Sequence, residues 1–412
     1  MSGVARDADP PLEWSEAKNV AWKTRLPGSG NSTPIVWGER IFLLTAVPTD
    51  RQAAGPGTDA EKALPDWRRS VYLRPDRLLK WEALALNSRD GSIAWRQTLA
   101  EEAPHEGSHS LGSWANASPV TDGERLYACL GSRGLHCLDL EGRKLWEVRL
   151  GRMKVKAQFG EGSSPALFGD RLVINWDHEG DDFIVVLDKL TGKEVWRAAR
   201  DEVTSWGTPV VLPVRGRPQV IVAAANRSRA YDLETGKEVW SCAGMTHNVV
   251  PTPVHSDGLL FLASGFRGNA LQAVRLEAAQ GELAGPPAIV WTRAKDTPYV
   301  PSLLLYGDNL YLISQNKNLI SCLDAGSGNV HFLNQQLTGL GNIFSSPAGA
   351  ADRVYVVGEN GVAAVVQHGT EFRLLATNKL SDRFVASPVI VGKTLFLRGR
   401  ENLYCLREAS AR

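Results

Sequence analysis

The sequence has no apolar run near the roughly 18 residues that a membrane-spanning helix needs. Its first residues, MSGVARDADPPLEW, contain neither the apolar core nor the small-residue cleavage site of a secretory leader, so the chain as written reads as soluble, with its compartment left open. Charge of one sign is also missing: 46 Lys and Arg stand against 45 Asp and Glu, which removes any global attraction to nucleic acid or an anionic membrane. Cysteine is scarce: there are five, none adjacent to another and none in C-x-x-C spacing, which excludes a zinc knuckle and a thioredoxin-type redox pair. G-x-S-x-G, H-E-x-x-H and a strand-following G-x-G-x-x-G are all absent, so no residue is assigned a catalytic role. A monomer is expected.

What is present is a repeat. At 412 residues the chain is too long for one ordinary core, and a unit recurs about every 45 residues. Each unit opens on a small residue and proline: Thr33-Pro34, Ser118-Pro119, Ser164-Pro165, Thr208-Pro209, Thr252-Pro253, Pro301-Ser302 with the order reversed, Ser346-Pro347 and Ser387-Pro388. Alternating apolar strands follow, such as GERIFLLTA and GDNLYLISQ, and tight turns such as LDKLTGKEVW and YDLETGKEVW join the last two strands. Trp95, Trp146, Trp196, Trp240 and Trp291 close the first five units, with Phe332 and the 372–375 stretch standing in later. The eighth unit lacks its fourth strand, and the orphan strand NVAWKTRLP with Trp22 can supply it. The pattern predicts an all-β fold: one domain, an eight-bladed β-propeller of four-stranded antiparallel blades, closed by the N-terminal strand completing the last blade. Cys137, Cys322 and Cys405 occupy matching strand positions and are read as small buried hydrophobes. The first unit carries an insertion at about 48–78, in which ALPDWRRSVY is a candidate short helix.

DKLTGKEVW and DLETGKEVW resemble the tryptophan-docking motif of the PQQ-like propellers, the family of quinoprotein dehydrogenases and BamB-like assembly proteins. NVAWKTRLPGSGNSTPIVWGERIFLLTA, FGEGSSPALFGDRL and TSWGTPVV are similar to members of planctomycete-type bacteria. The resemblance implies a bacterial, periplasmic or otherwise exported protein and a non-enzymatic scaffold that binds a protein or small ligand. The alternatives are a PQQ-dependent, calcium-assisted dehydrogenase and a carbohydrate-binding or sensor module. The adjacent cysteine pair of the quinoprotein alcohol dehydrogenases has no counterpart here.

In a four-stranded meander the interblade loops and the loops joining second to third strands emerge on one face. The candidate ligand-binding residues there are Trp114, Asn116, Gln158, Trp206, Asn226, His247, Arg267, Tyr299, Phe344 and Arg398, aromatics and amides interleaved with cations that suit a planar anionic ligand. Asp177, Glu179 and Asp181 in NWDHEGDDF are weak calcium candidates, for which a solvated loop is the competing reading.

Overall fold

A computed structural model describes residues 3–53, 64–74 and 76–409. Seven four-stranded antiparallel sheets and one that gains a fifth strand make up the chain, the eight-bladed β-propeller fold class. The chain falls into two compact units, residues 24–204 and residues 1–23 with 205–412.

Residues 24–204 hold blades 1 to 3. Blade 1 comprises Ile35–Trp37, Arg40–Gln52, Arg77–Asn87 and Ile93–Glu102; blade 2 comprises Val120–Thr121, Arg125–Cys129, Leu135–Asp139 and Lys144–Val148; blade 3 comprises Ala166–Phe168, Arg171–Trp176, Phe183–Asp188 and Glu194–Ala199. Middle strands are buried on both faces and read as continuous apolar runs, while outer strands alternate, as in the half-exposed pattern of Glu194–Ala199. In blade 1 the middle strands run on beyond the sheet and pair as far as Gln52 with Arg77, so the irregular excursion is shorter than 48–78. Residues 54–63 and 75 of it lie outside the described residues. The short helix is Asp66–Arg69, and Tyr72–Leu73 then pairs with Ser108–His109 of the loop after blade 1.

The second unit holds blades 4 to 8. Blade 4 comprises Val210–Val214, Arg217–Val222, Ser228–Asp232 and Glu238–Cys242; blade 5 comprises Val254–Ser256, Leu259–Ser264, Ala270–Arg275 and Ile289–Arg293. Blade 6 comprises Leu304–Tyr306, Asn309–Ser314, Leu319–Asp324 and Val330–Gln336; blade 7 comprises Ala348–Ala350, Arg353–Val357, Val362–Gln367 and Leu374–Lys379. Blade 8 is Val389–Val391, Thr394–Arg398 and Asn402–Leu406, and Val20–Arg25 is its outermost strand, as the orphan-strand argument requires. Trp22 contacts Phe396 at 5.9 Å between ring centroids, repeating the Phe261–Trp291 pairing of blade 5. Tyr311 meets Phe332 in the same way in blade 6, at 6.3 Å between centroids.

The tryptophan rings dock on the turn of the following blade. Trp95 Nε1 donates to the Leu140 carbonyl at 2.9 Å, Trp146 Nε1 to Lys189 at 3.2 Å and Trp291 Nε1 to Ala325 at 3.0 Å. Each ring lies so close to the turn glycine that a Cβ on Gly142, Gly192 or Gly328 would fall 2.7–2.8 Å from it. The aspartate opening each turn is the organiser: Asp188 Oδ1 accepts from the Thr191 amide and hydroxyl at 2.9 and 2.7 Å, and Asp232 and Asp324 do the same with Thr235 and Ser327. Trp240 departs from this rule. It donates within its own blade to Gln219 Oε1 at 3.3 Å, and the edge beside it is covered by a fifth, parallel strand, Gly281–Leu283, from the long connection inside blade 5. Nothing in the alternation of that segment announces a strand, and the sequence reading missed it.

The small residues that open the units also have a purpose. In the first unit the Thr33 amide donates to Ser118 Oγ and the Ser118 amide to Ser164 Oγ, both at 2.9 Å. In the second, the amides of Thr252, Ser302 and Ser346 donate in turn to the hydroxyls of Ser302, Ser346 and Ser387 at 3.0 Å. Ser302 is therefore in register with the others and Leu303 takes the proline place, so the apparent reversal at Pro301-Ser302 is a proline replacement.

Candidate functional site

On blades 1 to 3 the loops of interest are tied together. Arg68, from the inserted helix, is buried; its Nε donates to the Ala157 carbonyl at 2.7 Å, Nη2 to Gln158 at 2.6 Å and Nη1 to Val71 at 3.0 Å. Its guanidinium also lies over Tyr72 and Phe159, at 5.1 and 4.8 Å from the ring centroids. Gln158 Oε1 accepts from Tyr72 Oη at 2.8 Å and the Gly107 amide at 3.0 Å. Asn116 is engaged with its own loop and the next: Oδ1 accepts the Ser113 amide and hydroxyl at 3.0 Å, and Nδ2 donates to the carbonyls of Ser113 and Glu161. Trp114 is half-buried and donates to the Glu106 carbonyl at 3.0 Å. The cavity among Trp114, Asn116, Met153, Glu161 and Trp176 has room for about 20 Å³, the scale of a single water.

A charged network lies in the same loops. Glu161 accepts from the Ser132 hydroxyl at 2.5 Å and amide at 2.8 Å and faces Arg133 Nη1 at 3.5 Å, while Arg133 Nε reaches Glu102 at 3.2 Å. Arg133 is itself buried against the Trp81 ring. Glu106 Oε2 accepts the Val155 amide at 3.0 Å; burial, with the nearby Glu161 charge, raises its pKa to about 7 against the pull of that amide, Arg133 and Lys154. Burial lowers the pKa of His105, whose Nε2 lies 2.7 Å from the Met153 carbonyl. None of Glu102, His105, Glu106 or Arg68 has a periodic signal; only the unusual concentration of His and Glu in EAPHEGSHS marks the loop.

The three calcium candidates are held differently. Asp177 is fully buried in a two-pronged pair with Arg200, Glu179 accepts the Thr204 amide and hydroxyl at 3.1 and 2.8 Å, and Asp181 is exposed. No three metal-ligating side chains converge among the described residues, and all five cysteines are buried and unbonded to one another. This donor set does not fit a calcium-assisted quinone.

In the second unit, loops of blades 4 and 5 bring His247, Asn248, Phe266, Arg267 and Tyr299 together. His247 bridges Phe266, Phe266 stacks on Tyr299 at 5.0 Å, and Trp206 joins through its amide to the Val249 carbonyl at 2.8 Å. Asn226 is exposed at a hairpin tip, and Phe344 is half-buried beside Ile343, whose amide reaches Gln315. Arg398 lies inside blade 8, only 2 % exposed, and burial lowers its pKa to about 9. A surface cavity of about 340 Å³ opens between loops of blades 7 and 8, lined by Asn360, Lys379, Ser381, Arg383 and Arg400. Asp382 beside it is occupied in accepting the Asn402 amide and side chain, both at 3.0 Å.

The solved structures similar to this chain share its architecture at low identity. BamB from Moraxella catarrhalis is 14% identical with a TM-score of 0.59, covering 95% of this chain and 97% of that one. Quinohemoprotein alcohol dehydrogenase from Comamonas testosteroni is 11% identical with a TM-score of 0.61, over 97% of this chain and 79% of that one. The computationally designed Ika8 protein is 11% identical with a TM-score of 0.54, over 94% and 99%. No curated protein matches the chain in sequence. At such identities these likenesses establish the fold alone. The family model described as outer membrane protein assembly factor BamB matches residues 80–334 and 180–412, most of the sequence, and the chain belongs to that BamB-like, PQQ-repeat propeller family.

Proposed function

We propose that the protein is a non-enzymatic binding scaffold that receives a protein partner on the loop face of blades 1 to 3. The observation that carries this reading is the docked insertion. Arg68 fastens it to the loop residues Ala157 and Gln158, leaving Trp67 58 % exposed on its outer side. A large aromatic held on a pinned element loses little entropy on binding, the property of an interface anchor. The cavity lined by Trp114, Asn116, Met153, Glu161 and Trp176 admits about a water, which favours a surface that is docked upon over a pocket that turns substrate over. The quinoprotein reading rests on fold likeness alone.

The test is photocrosslinking from benzoylphenylalanine placed at position 67, with position 190, an exposed leucine on the turn joining the last two strands of blade 3, as the control. A discrete adduct from 67 that is absent from 190 and lost in Arg68→Ala is expected. A saturable rise in melting temperature with PQQ and calcium, together with steady alcohol oxidation and no adduct, would overturn the scaffold reading.

A further inference from the structure

One polar atom in the second unit is buried without a partner at a place where ligand-recognising groups converge. Asn248 is 1 % exposed; its Nδ2 reaches Tyr299 Oη at 3.5 Å, but its Oδ1 accepts nothing among the described residues. A buried acceptor left unmade costs about 1–3 kcal/mol, so a donor is wanted there. Around it stand a stacked aromatic pair, Phe266 and Tyr299, at 5.0 Å and 28°, and two cationic or ionisable side chains. Arg267 lies over Phe266 at 5.5 Å from the centroid, and both Arg267 and His247 are exposed and make no ion pair among the described residues.

The backbone here is held in costly conformations. Asn248 and Arg267 both have left-handed φ, 56° and 51°, which is uncommon for a side chain as long as arginine. Gly265 lets the loop press against the facing chain, since a Cβ would fall 2.6 Å from the Pro298 carbonyl oxygen. Thr297 locks the approach, its hydroxyl donating to the Ser264 carbonyl at 2.6 Å and its amide to Asn269 Oδ1 at 3.0 Å.

We propose that this cluster binds an acidic sugar unit. A hydroxyl donates to Asn248 Oδ1, the C–H face of the ring packs on the aromatic pair, and the carboxylate meets Arg267 and His247. A sugar hydroxyl both donates and accepts, so it meets the Asn248 amide whichever of its ends is turned to the ligand. The site involves different residues from the insertion and does not depend on the protein-docking reading.

Calorimetric titration of the full chain with a hexamer of galacturonic acid and with the neutral galactose hexamer tests it. Saturable binding of the acidic hexamer is expected, weaker by roughly tenfold or more in Asn248→Gly, which tolerates the left-handed backbone, and in Arg267→Gln. The neutral hexamer is expected to bind more weakly than the acidic one and to lose affinity in Asn248→Gly but not in Arg267→Gln. Tyr299→Ala, with melting checked alongside, provides a second variant should Asn248→Gly fail to fold. No binding of either hexamer to the folded wild type would overturn the proposal and leave an ordered water as the partner of Asn248. Binding unchanged in all of the folded variants would overturn it equally.

Discussion

Arg200 grips Asp177 with two of its nitrogens, Nε to Oδ1 at 2.6 Å and Nη2 to Oδ2 at 3.2 Å, and both side chains are fully buried. Removing one partner strands the other charge in a medium that solvates it poorly. Asp177→Ala is therefore expected to destabilise the chain by about 3–5 kcal/mol in urea unfolding, and Arg200→Met by a similar amount. The double variant Asp177→Ala, Arg200→Met should cost much less than the sum of the two single losses. Full additivity of the two single losses would show that the pair is not coupled.

Glu106 makes stability depend on pH. Its folded pKa, about 7, lies above its ordinary value of 4.5, so between those limits the folded state holds more protons than the unfolded one. The contribution is thus complete below about pH 4.5 and is lost as pH rises through 7. His105 acts in the opposite sense, because burial lowers its pKa and its protonation at low pH opposes folding. Glu106→Gln should consequently gain stability relative to the parent as pH rises from 4.5 to 7. A pH-independent difference between the two melting curves would contradict the assignment.

Gly142 occupies a position that no other residue suits. Its φ is 89°, and a Cβ would sit 2.8 Å from the Trp95 ring. Gly142→Ala is expected to cost roughly 2 kcal/mol, with a shift in tryptophan fluorescence as the ring is displaced. Glycines whose added Cβ would meet nothing, such as Gly169, pay the backbone strain alone, so Gly169→Ala should cost less and leave the fluorescence in place.

The hydrogen bond from the Thr252 amide to Ser302 Oγ is one link in a series joining successive blades. Ser302→Ala should accelerate hydrogen exchange at the Thr252 amide and cost about 1 kcal/mol in stability. Exchange at the Leu260 amide, in the middle of a strand, is the internal control.

The extent to which the fold can be read from the sequence follows from which interactions repeat. The Asp-to-Gly turns, the closing rings and the small residue before proline recur because each makes the same kind of contact in several blades, Trp240 being an exception, and those repeats were enough to place eight blades and the strand that closes the last. Gly281–Leu283 escaped because a three-residue parallel strand makes its contact once, with Trp240 and its neighbours. The loop residues were harder for the same reason. Position on the face could be inferred from strand order, but whether a polar group was already satisfied could not. Asn116 and Gln158 turn out to be occupied by loop hydrogen bonds, whereas Asn248, the residue next to the expected site residue His247, keeps an open acceptor. Arg68 and Glu106 are single residues in irregular segments, and their roles come entirely from distant partners.

The strand Val20–Arg25 lies against Asn402–Leu406, so blade 8 joins a segment that leaves the ribosome early to one that leaves late. During synthesis that strand, half apolar and with its backbone groups unpaired, waits for the seven intervening blades to appear. The interval is one in which an extended segment with an alternating apolar face is open to capture by other chains, or by a chaperone that shields it until its partner arrives.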